Sequence, residues 1–386
     1  MIDGRILRTS WWALLWSMCT AALPATAAPR YALTDTATLI PGHTFQAVAL
    51  NDRGALVGTR GDGHAVIVTP GQGEPIDIGT LPSQSPGFET RPVPAAINNY
   101  GQVSGTVYYN TTENDPPVIV RGFLYTPGVG MTDIGLLPTQ YLPTTYGVGL
   151  NDHGVVLGMS VGGSRWETIT FSLGRGLEVL PTALDVQPEG INDRGQILGT
   201  LLTNAQQASY IYHRGTVTEI QGAGAVYVYA HDINDRGWVT GGMSRDRVRG
   251  QAFLYKPGTG IVDLMAGGAN DGFINTGGLA LNNRGQVVGS GWTGSDTAGF
   301  YFDEETGIVR LSKLVEPADM VGWRLWDAFA INDRGQILAY GLRDGSNQTT
   351  VVLLTPVKKA GHDPDHDHHD HHDGRDRGHG HSPRGR

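Results

Sequence analysis

The sequence predicts an all-β chain: a seven-bladed β-propeller of four-stranded blades, closed by an N-terminal strand that completes the last blade. Three observations predict it. A turn motif, Asn-Asp/Asn-x-Gly, recurs seven times, each copy sits in a run of short strand-like segments, and the last repeat lacks one strand that a segment ahead of the first repeat can supply.

The motif begins at Asn51, Asn98, Asn151, Asn192, Asn234, Asn282 and Asn332, at intervals of 47, 53, 41, 42, 48 and 50 residues. Each copy follows Ile or Leu and precedes an apolar run, as in Leu50-Asn51-Asp52-Arg53-Gly54 before Ala55-Leu56-Val57-Gly58. Asn favours the first position of a tight turn because its side chain bonds the backbone two residues on. Gly supplies the positive φ that closes a three-residue hairpin with a bulge. A feature present in every repeat reads as scaffold rather than as seven separate catalytic or metal sites.

A third strand ends in a Pro-Gly or Gly-x-Gly turn, as in Ala65–Gly71, Phe123–Gly128 and Phe253–Gly258. A fourth follows, as in Ile76-Asp77-Ile78-Gly79-Thr80-Leu81 and Thr132-Asp133-Ile134-Gly135-Leu136-Leu137. Four short strands in about 40 to 50 residues is the signature of a propeller blade. The seventh repeat reaches its third strand at Thr350–Thr355 and then runs into a polar tail, whereas Tyr31–Leu39 carries the fourth-strand pattern without a repeat of its own. Pairing those two segments removes the exposed edges that invite aggregation.

These motifs resemble those of the bacterial extracellular repeat proteins called the HAF family. That repeat reads roughly Ala-x-x-Ile-Asn-x-x-Gly-x-Val-x-Gly, then His-Ala-Phe, then Asp-Leu-Gly-x-Leu. The resemblance covers about residues 31–357, and the hairpin motif matches in all seven repeats; the name-giving triplet is eroded to His64-Ala65-Val66, Gly122-Phe123, Gln251-Ala252-Phe253 and Gly299-Phe300. It implies export and a propeller-like fold, and it carries over no activity and no site residues.

Composition agrees with many short strands joined by tight turns. Glycine makes up 56 of 386 residues, 39% are hydrophobic and 17% charged, which is unlike the low hydrophobicity and high charge of disordered chains. The net charge of −9, without a broad basic surface, argues against nucleic acid as a partner. The chain is expected to be a monomer.

The N-terminus reads as a secretory address covering residues 1–27. Arg5 and Arg8 form a charged region, Trp11–Leu23 an apolar one, and Ala25-Thr26-Ala27 a small-residue cleavage site. The apolar run is too short for a membrane span, so the expected location is secreted or periplasmic. Cys19, the only cysteine, lies inside this leader, leaving residues 30–357 as a propeller without disulfide or thiol chemistry.

Standard catalytic motifs are missing from the sequence. Gly289-Ser290-Gly291-Trp292-Thr293-Gly294 matches a dinucleotide-binding pattern by letters alone, but it lies between strands and leads into no helix whose N-terminus could hold a pyrophosphate. The first strand of each repeat is expected to be innermost. Blade four places Glu189 there and blade five His231 and Asp232; Glu189 and His231 both stand three residues before the turn Asn, on adjacent blades. A carboxylate beside an imidazole near the channel could bind a ligand, hold a metal or move protons, or serve as a buried ion pair. These three residues are the candidate catalytic set, and Glu189 and His231 are expected to approach one another.

The loops expected to ring one mouth carry Phe88, Glu89, Tyr108, Tyr109, Glu113, Asp115, Arg245, Asp246, Arg247, Arg249, Trp292, Trp323 and Trp326. Of these, Tyr108, Tyr109, Arg245, Arg247, Trp292, Trp323 and Trp326 are the candidate ligand-binding residues, since aromatic faces with charged groups suit sugars or peptides. Blade packing and solvated loops are the structural alternative.

From Gly361 onward apolar residues vanish. His362, His366, His368, His369, His371, His372, His379 and His381 interleave with aspartates, eight of the chain's 13 histidines. Imidazole and carboxylate suit zinc, nickel or copper, so residues 358–386 are expected to form a disordered tail with exchangeable metal sites. The expected function is a non-enzymatic binding scaffold for an extracellular protein or polysaccharide. The alternative is a propeller enzyme, a hydrolase or lyase, acting on an extracellular polymer at the central channel.

Overall fold

The computed structural model describes residues 30–83, 89–110, 119–138, 144–162, 165–181, 186–202, 207–222, 224–266 and 270–357. The expected leader and the His/Asp-rich C-terminal segment lie outside the described residues, as do Phe88, Glu113 and Asp115.

The strands form seven four-stranded antiparallel sheets, one per repeat. Blade 1 consists of Phe45–Leu50, Leu56–Arg60, Ala65–Thr69 and Gln72–Asp77. Blades 2 to 6 repeat this order within 89–133, 144–179, 186–220, 227–263 and 275–310. Blade 7 takes Trp323–Ile331, Ile337–Arg343 and Thr349–Pro356 from the C-terminal end and Tyr31–Asp35 from the other. The closing strand pairs antiparallel with Thr349–Pro356, from Tyr31 opposite Pro356 to Asp35 opposite Val352. The only α-helix among the described residues is the single turn Leu311–Leu314, and no helix there is long and apolar enough to cross a membrane.

The core lies between blades rather than within them. Val57, Ala65 and Ile67 of blade 1 pack against Val103 and Phe123 of blade 2, and Leu254 of blade 5 against Val287 and Phe300 of blade 6. Each sheet has two apolar faces, and a ring covers both. Strand sequences therefore read as near-continuous apolar runs, such as Ala65–Val68 and Val351–Leu354, all buried. The glycines that resembled a nucleotide loop serve the close approach of two strands within blade 6: a Cβ at Gly289 would stand 2.0 Å from the Gly277 carbonyl oxygen and one at Gly291 2.4 Å from that of Asn275. The segment is a strand, Val287–Trp292, followed by another, Thr297–Asp303.

In all seven blades the innermost strand bulges against the second, with the register slipping across the residue three before the turn Asn. A bulge inserts an unpaired residue and re-aims side chains. Glu189 and His231 are the bulge residues of blades 4 and 5; Val48, Ala95, Val148, Leu279 and Phe329 hold that place elsewhere.

Candidate functional site

The two mouths of the channel are built differently. At one, the seven turn motifs meet. Asn51 Oδ1 accepts from the backbone N–H of Arg53 and Ala55, at 3.0 and 2.9 Å, and Gly54 closes the turn at φ +83°. Asn51 Nδ2 then donates to the carbonyl of Asn98 in the next blade at 2.9 Å. The same bond runs from each turn Asn to the next, and Asn332 to Asn51 at 2.9 Å closes the circle. The sequence shows the turn; this inter-blade bond is what it did not show.

A second circle lies on top of the first. The Asp52 N–H donates to Asn99 Oδ1 at 2.9 Å, and so on through Asp152, Asp193, Asp235, Asn283 and Asp333 back to Asp52 at 2.7 Å. The Asn99 amide bridges Asp52 and Asp152 at 2.8 and 2.9 Å, and the Asn283 amide bridges Asp235 and Asp333 at the same distances. These carboxylates line a shallow cavity of about 190 Å³. Their charge is spent on backbone amides and two carboxamides, which makes the ring a clasp. Burial raises the Asp193 carboxyl above its usual range, with Asp235 and Asp152 adding to the rise.

A cavity of about 700 Å³ also opens on the ring side, between blades 3 and 4, lined by Asn151, Arg175, Glu178 and Tyr212 among others. The other mouth is formed by the opposite strand ends and carries two smaller cavities. One of about 560 Å³ lies between blades 1 and 2. There Asp77 Oδ2 stands 2.6 Å from His64 Nδ1, and Arg60 binds Asp62 at 2.9 Å and Asp77 at 3.4 Å. A second, of about 500 Å³, lies where blades 7, 1 and 2 meet; it is lined by Arg91, Arg343, Gln46, Gln348, Thr349 and Thr350 among others.

In the channel wall, Glu189 and His231 form no ion pair. Tyr229, two residues ahead of His231 on the same strand, links them instead: its hydroxyl hydrogen-bonds Glu189, and its ring centroid is 4.8 Å from that of His231. Burial pushes the Glu189 carboxyl up to about 7, against a smaller opposing effect of the Tyr229 bond. Burial pushes His231 down. Near neutrality Glu189 is thus only partly ionised and His231 neutral, so the cluster is a polar patch rather than an ion pair. One Glu189 oxygen, Oε1, is buried without a hydrogen-bond partner. Tyr229 was legible only as a period-two neighbour of His231. Asp327, also raised by burial and also with one partnerless buried oxygen, occupies a position the sequence did not single out.

Asp232 points between blades. It is half-buried and accepts from Ile233 N–H at 2.8 Å and from Leu281 N–H of blade 6 at 2.9 Å. Burial raises it to about 6. It fastens two innermost strands together and stands apart from the Glu189–Tyr229–His231 patch.

The aromatic and arginine candidates separate as well. Tyr109 is 1% exposed, a core residue of blades 1 and 2, while Tyr108 is half-buried. Trp323 is buried, with the Arg343 guanidinium 4.8 Å above its ring. Trp326 stacks on Tyr340 at 5.2 Å. Trp292 is 41% exposed. Arg245 pairs with Asp263 at 2.7 Å, and Arg247 is exposed on a turn with φ +61°. Among the described residues no group of three His, Cys, Asp or Glu could hold a metal ion; the histidines of the tail fall outside them.

No family model matches this sequence, and no curated protein does. Solved structures that resemble it are β-propellers at low identity. YCF48 bound to a D1 peptide is 12% identical with a TM-score of 0.46, covering 88% of this chain and 100% of its own. The propeller domain of the Pyrococcus furiosus Trilobed protease is 10% identical with a TM-score of 0.48, covering 83% and 97%. A puromycin-hydrolysing peptidase of Mycobacterium tuberculosis is 12% identical with a TM-score of 0.46; 74% of this chain spans 48% of that one.

Proposed function

We propose that this chain is an exported propeller that works by binding, and that it engages an extracellular partner with the mouth opposite the Asn/Asp ring. The observation that carries this reading is the contrast between the mouths. One is tied off by two closed hydrogen-bond circles. The other has no such clasp among the described residues and holds cavities of about 500 and 560 Å³, within the size range of ligand sites. The cavity of about 700 Å³ on the ring side lies between blades 3 and 4, so the contrast is in the rims and not in cavity size. The leader and the resemblance to the HAF repeats support export. The tail histidines are proposed to hold zinc, nickel or copper loosely, in neutral imidazole form. Zinc titration of the full chain against a version ending at Lys359 tests this: excess binding is expected at pH 7.5 and not at pH 5.5, and equal binding by both versions overturns it.

A second reading has one specific observation behind it. A carboxyl held near 7, as at Glu189, is suited to general acid work, which supports a hydrolase or lyase acting on a polymer at the channel. Arrays of oligosaccharides and peptides, read for both retention and cleavage, separate the two readings. Retention without turnover is expected. It should fall in a Gln348→Ala/Thr349→Ala variant at the cavity mouth and persist in an Arg53→Ala variant on the ring mouth. Release of cleaved products would favour the enzyme.

A further inference from the structure

The cavity shared by blades 7, 1 and 2 differs in charge from the rest of the surface. The chain carries a net charge of −9 and only four lysines, yet this cavity is lined by three arginines, Arg60, Arg91 and Arg343. Arg60 is committed to Asp62 and Asp77. Arg91 and Arg343 are exposed and form no ion pair among the described residues. The one carboxylate lining the cavity, Asp35, is occupied: its Oδ1 accepts from Ala37 N–H and from the Thr350 hydroxyl, both at 3.0 Å. Asp35 keeps its negative charge, so with Arg60 balanced by Asp62 and Asp77 the cavity presents two guanidinium groups against one carboxylate and stays net positive. Arg343 is also held in place, since its guanidinium lies over the buried Trp323 ring.

The remainder of the lining is hydroxyl and carboxamide: Thr44, Thr59, Thr349, Gln46 and Gln348. Its large apolar members, Phe45 and Val351, are buried at 2% and 1% exposure. A uronate sugar presents one carboxylate among hydroxyls. Guanidinium forks match a planar carboxylate, and the hydroxyls and amides can both donate to and accept from sugar hydroxyls.

We infer that this cavity is a subsite for an acidic polysaccharide, with Arg91 and Arg343 taking the carboxylates of uronate residues and the threonines and glutamines their hydroxyls. The inference rests on the binding reading above and names its ligand class. Trigalacturonate provides the probe, titrated calorimetrically into the full chain alongside its methyl ester and hexaglutamate. Binding of trigalacturonate is expected, weakened by salt and lost with the ester. Arg91→Gln and Arg343→Gln should each weaken it about tenfold, as for loss of a charge-assisted pair, and Arg→Lys at either site should restore it only in part. Arg91→Gln should unfold at the wild-type temperature and Arg343→Gln, which gives up its contact with the Trp323 ring, slightly below it; circular dichroism checks that both are folded at the temperature of the titration. Equal binding of the ester, or of trigalacturonate by the double variant, overturns the inference. Arginine-dependent binding of hexaglutamate alone overturns it in favour of an acidic peptide. If no carboxylate probe binds while the arrays still show retention at this mouth, the uronate inference falls and the binding reading stands. If neither is seen, both fall.

Discussion

A single buried carboxyl shows how one residue senses the fold around it. Glu189 is the bulge residue of blade 4 and is held at about 7 by burial. Below about pH 4.5, its ordinary value, it is protonated in both folded and unfolded chains and does not affect their balance. Between 4.5 and 7 the unfolded chain ionises first, so stability falls as pH rises and levels off above 7. Glu189→Gln removes the charge and should stabilise the protein by about 1 kcal/mol at pH 8, after allowance for solvent screening of a group that is only part-buried. At pH 4 it should change nothing. Urea unfolding at the two pH values checks this, and an equal effect at both would show that the carboxyl is not held protonated by the fold.

The strand that closes the ring is the element with the most depending on it. Tyr31–Asp35 buries Tyr31 against Tyr301, with centroids 6.5 Å apart, and hands its Tyr31 carbonyl to the Glu316 N–H at 2.8 Å. Thr36, just after it, bonds the Val351 carbonyl at 2.9 Å. Tyr31→Ala should cost about 3–5 kcal/mol, the range for emptying a large aromatic site in a core. Deleting residues 31–35 leaves the Thr349–Pro356 strand with a bare edge, which invites pairing with another chain. Size-exclusion chromatography should then show association, and denaturant unfolding should show a lowered midpoint. A deletion variant that stays monomeric at wild-type stability would show that closure contributes little.

At the scale of the whole molecule, the seven Asn residues are one object. Asn192 accepts from Arg194 and Gln196 N–H at 3.1 and 2.9 Å and donates to the Asn234 carbonyl and to Gln196 Oε1, both at 2.8 Å. Asn192→Ala should cost about 2–4 kcal/mol, because it strands several buried donors and acceptors at once. Asn192→Asp keeps the acceptor but loses the donor, so it should not restore stability. Tryptophan fluorescence in a urea titration should show one shifted transition rather than a separate melting of blade 4, since each blade's core is shared with its neighbours. A two-step transition would mean that the ring does not couple the blades.

The repeat, the blade count, the turn chemistry and the closing strand were all legible in the sequence. They rest on local rules: side-chain period, turn residues with defined φ, and the need to pair strand edges. Tertiary structure alone decided where the turn Asn side chains go, since Asn51 and Asn98 lie 47 residues apart and meet only when the ring closes. It also decided the channel wall. The bulge breaks the period-two count, so Asp232 turns between blades while Glu189 and His231 meet through Tyr229 rather than directly. The same holds for the cavity with Arg91 and Arg343: no spacing pairs residues on blades 2 and 7, and only the circular order of the blades makes them walls of one space. Local sequence specifies elements because its forces act over a few residues. Sites form where distant elements are brought together, and that depends on how the ring closes.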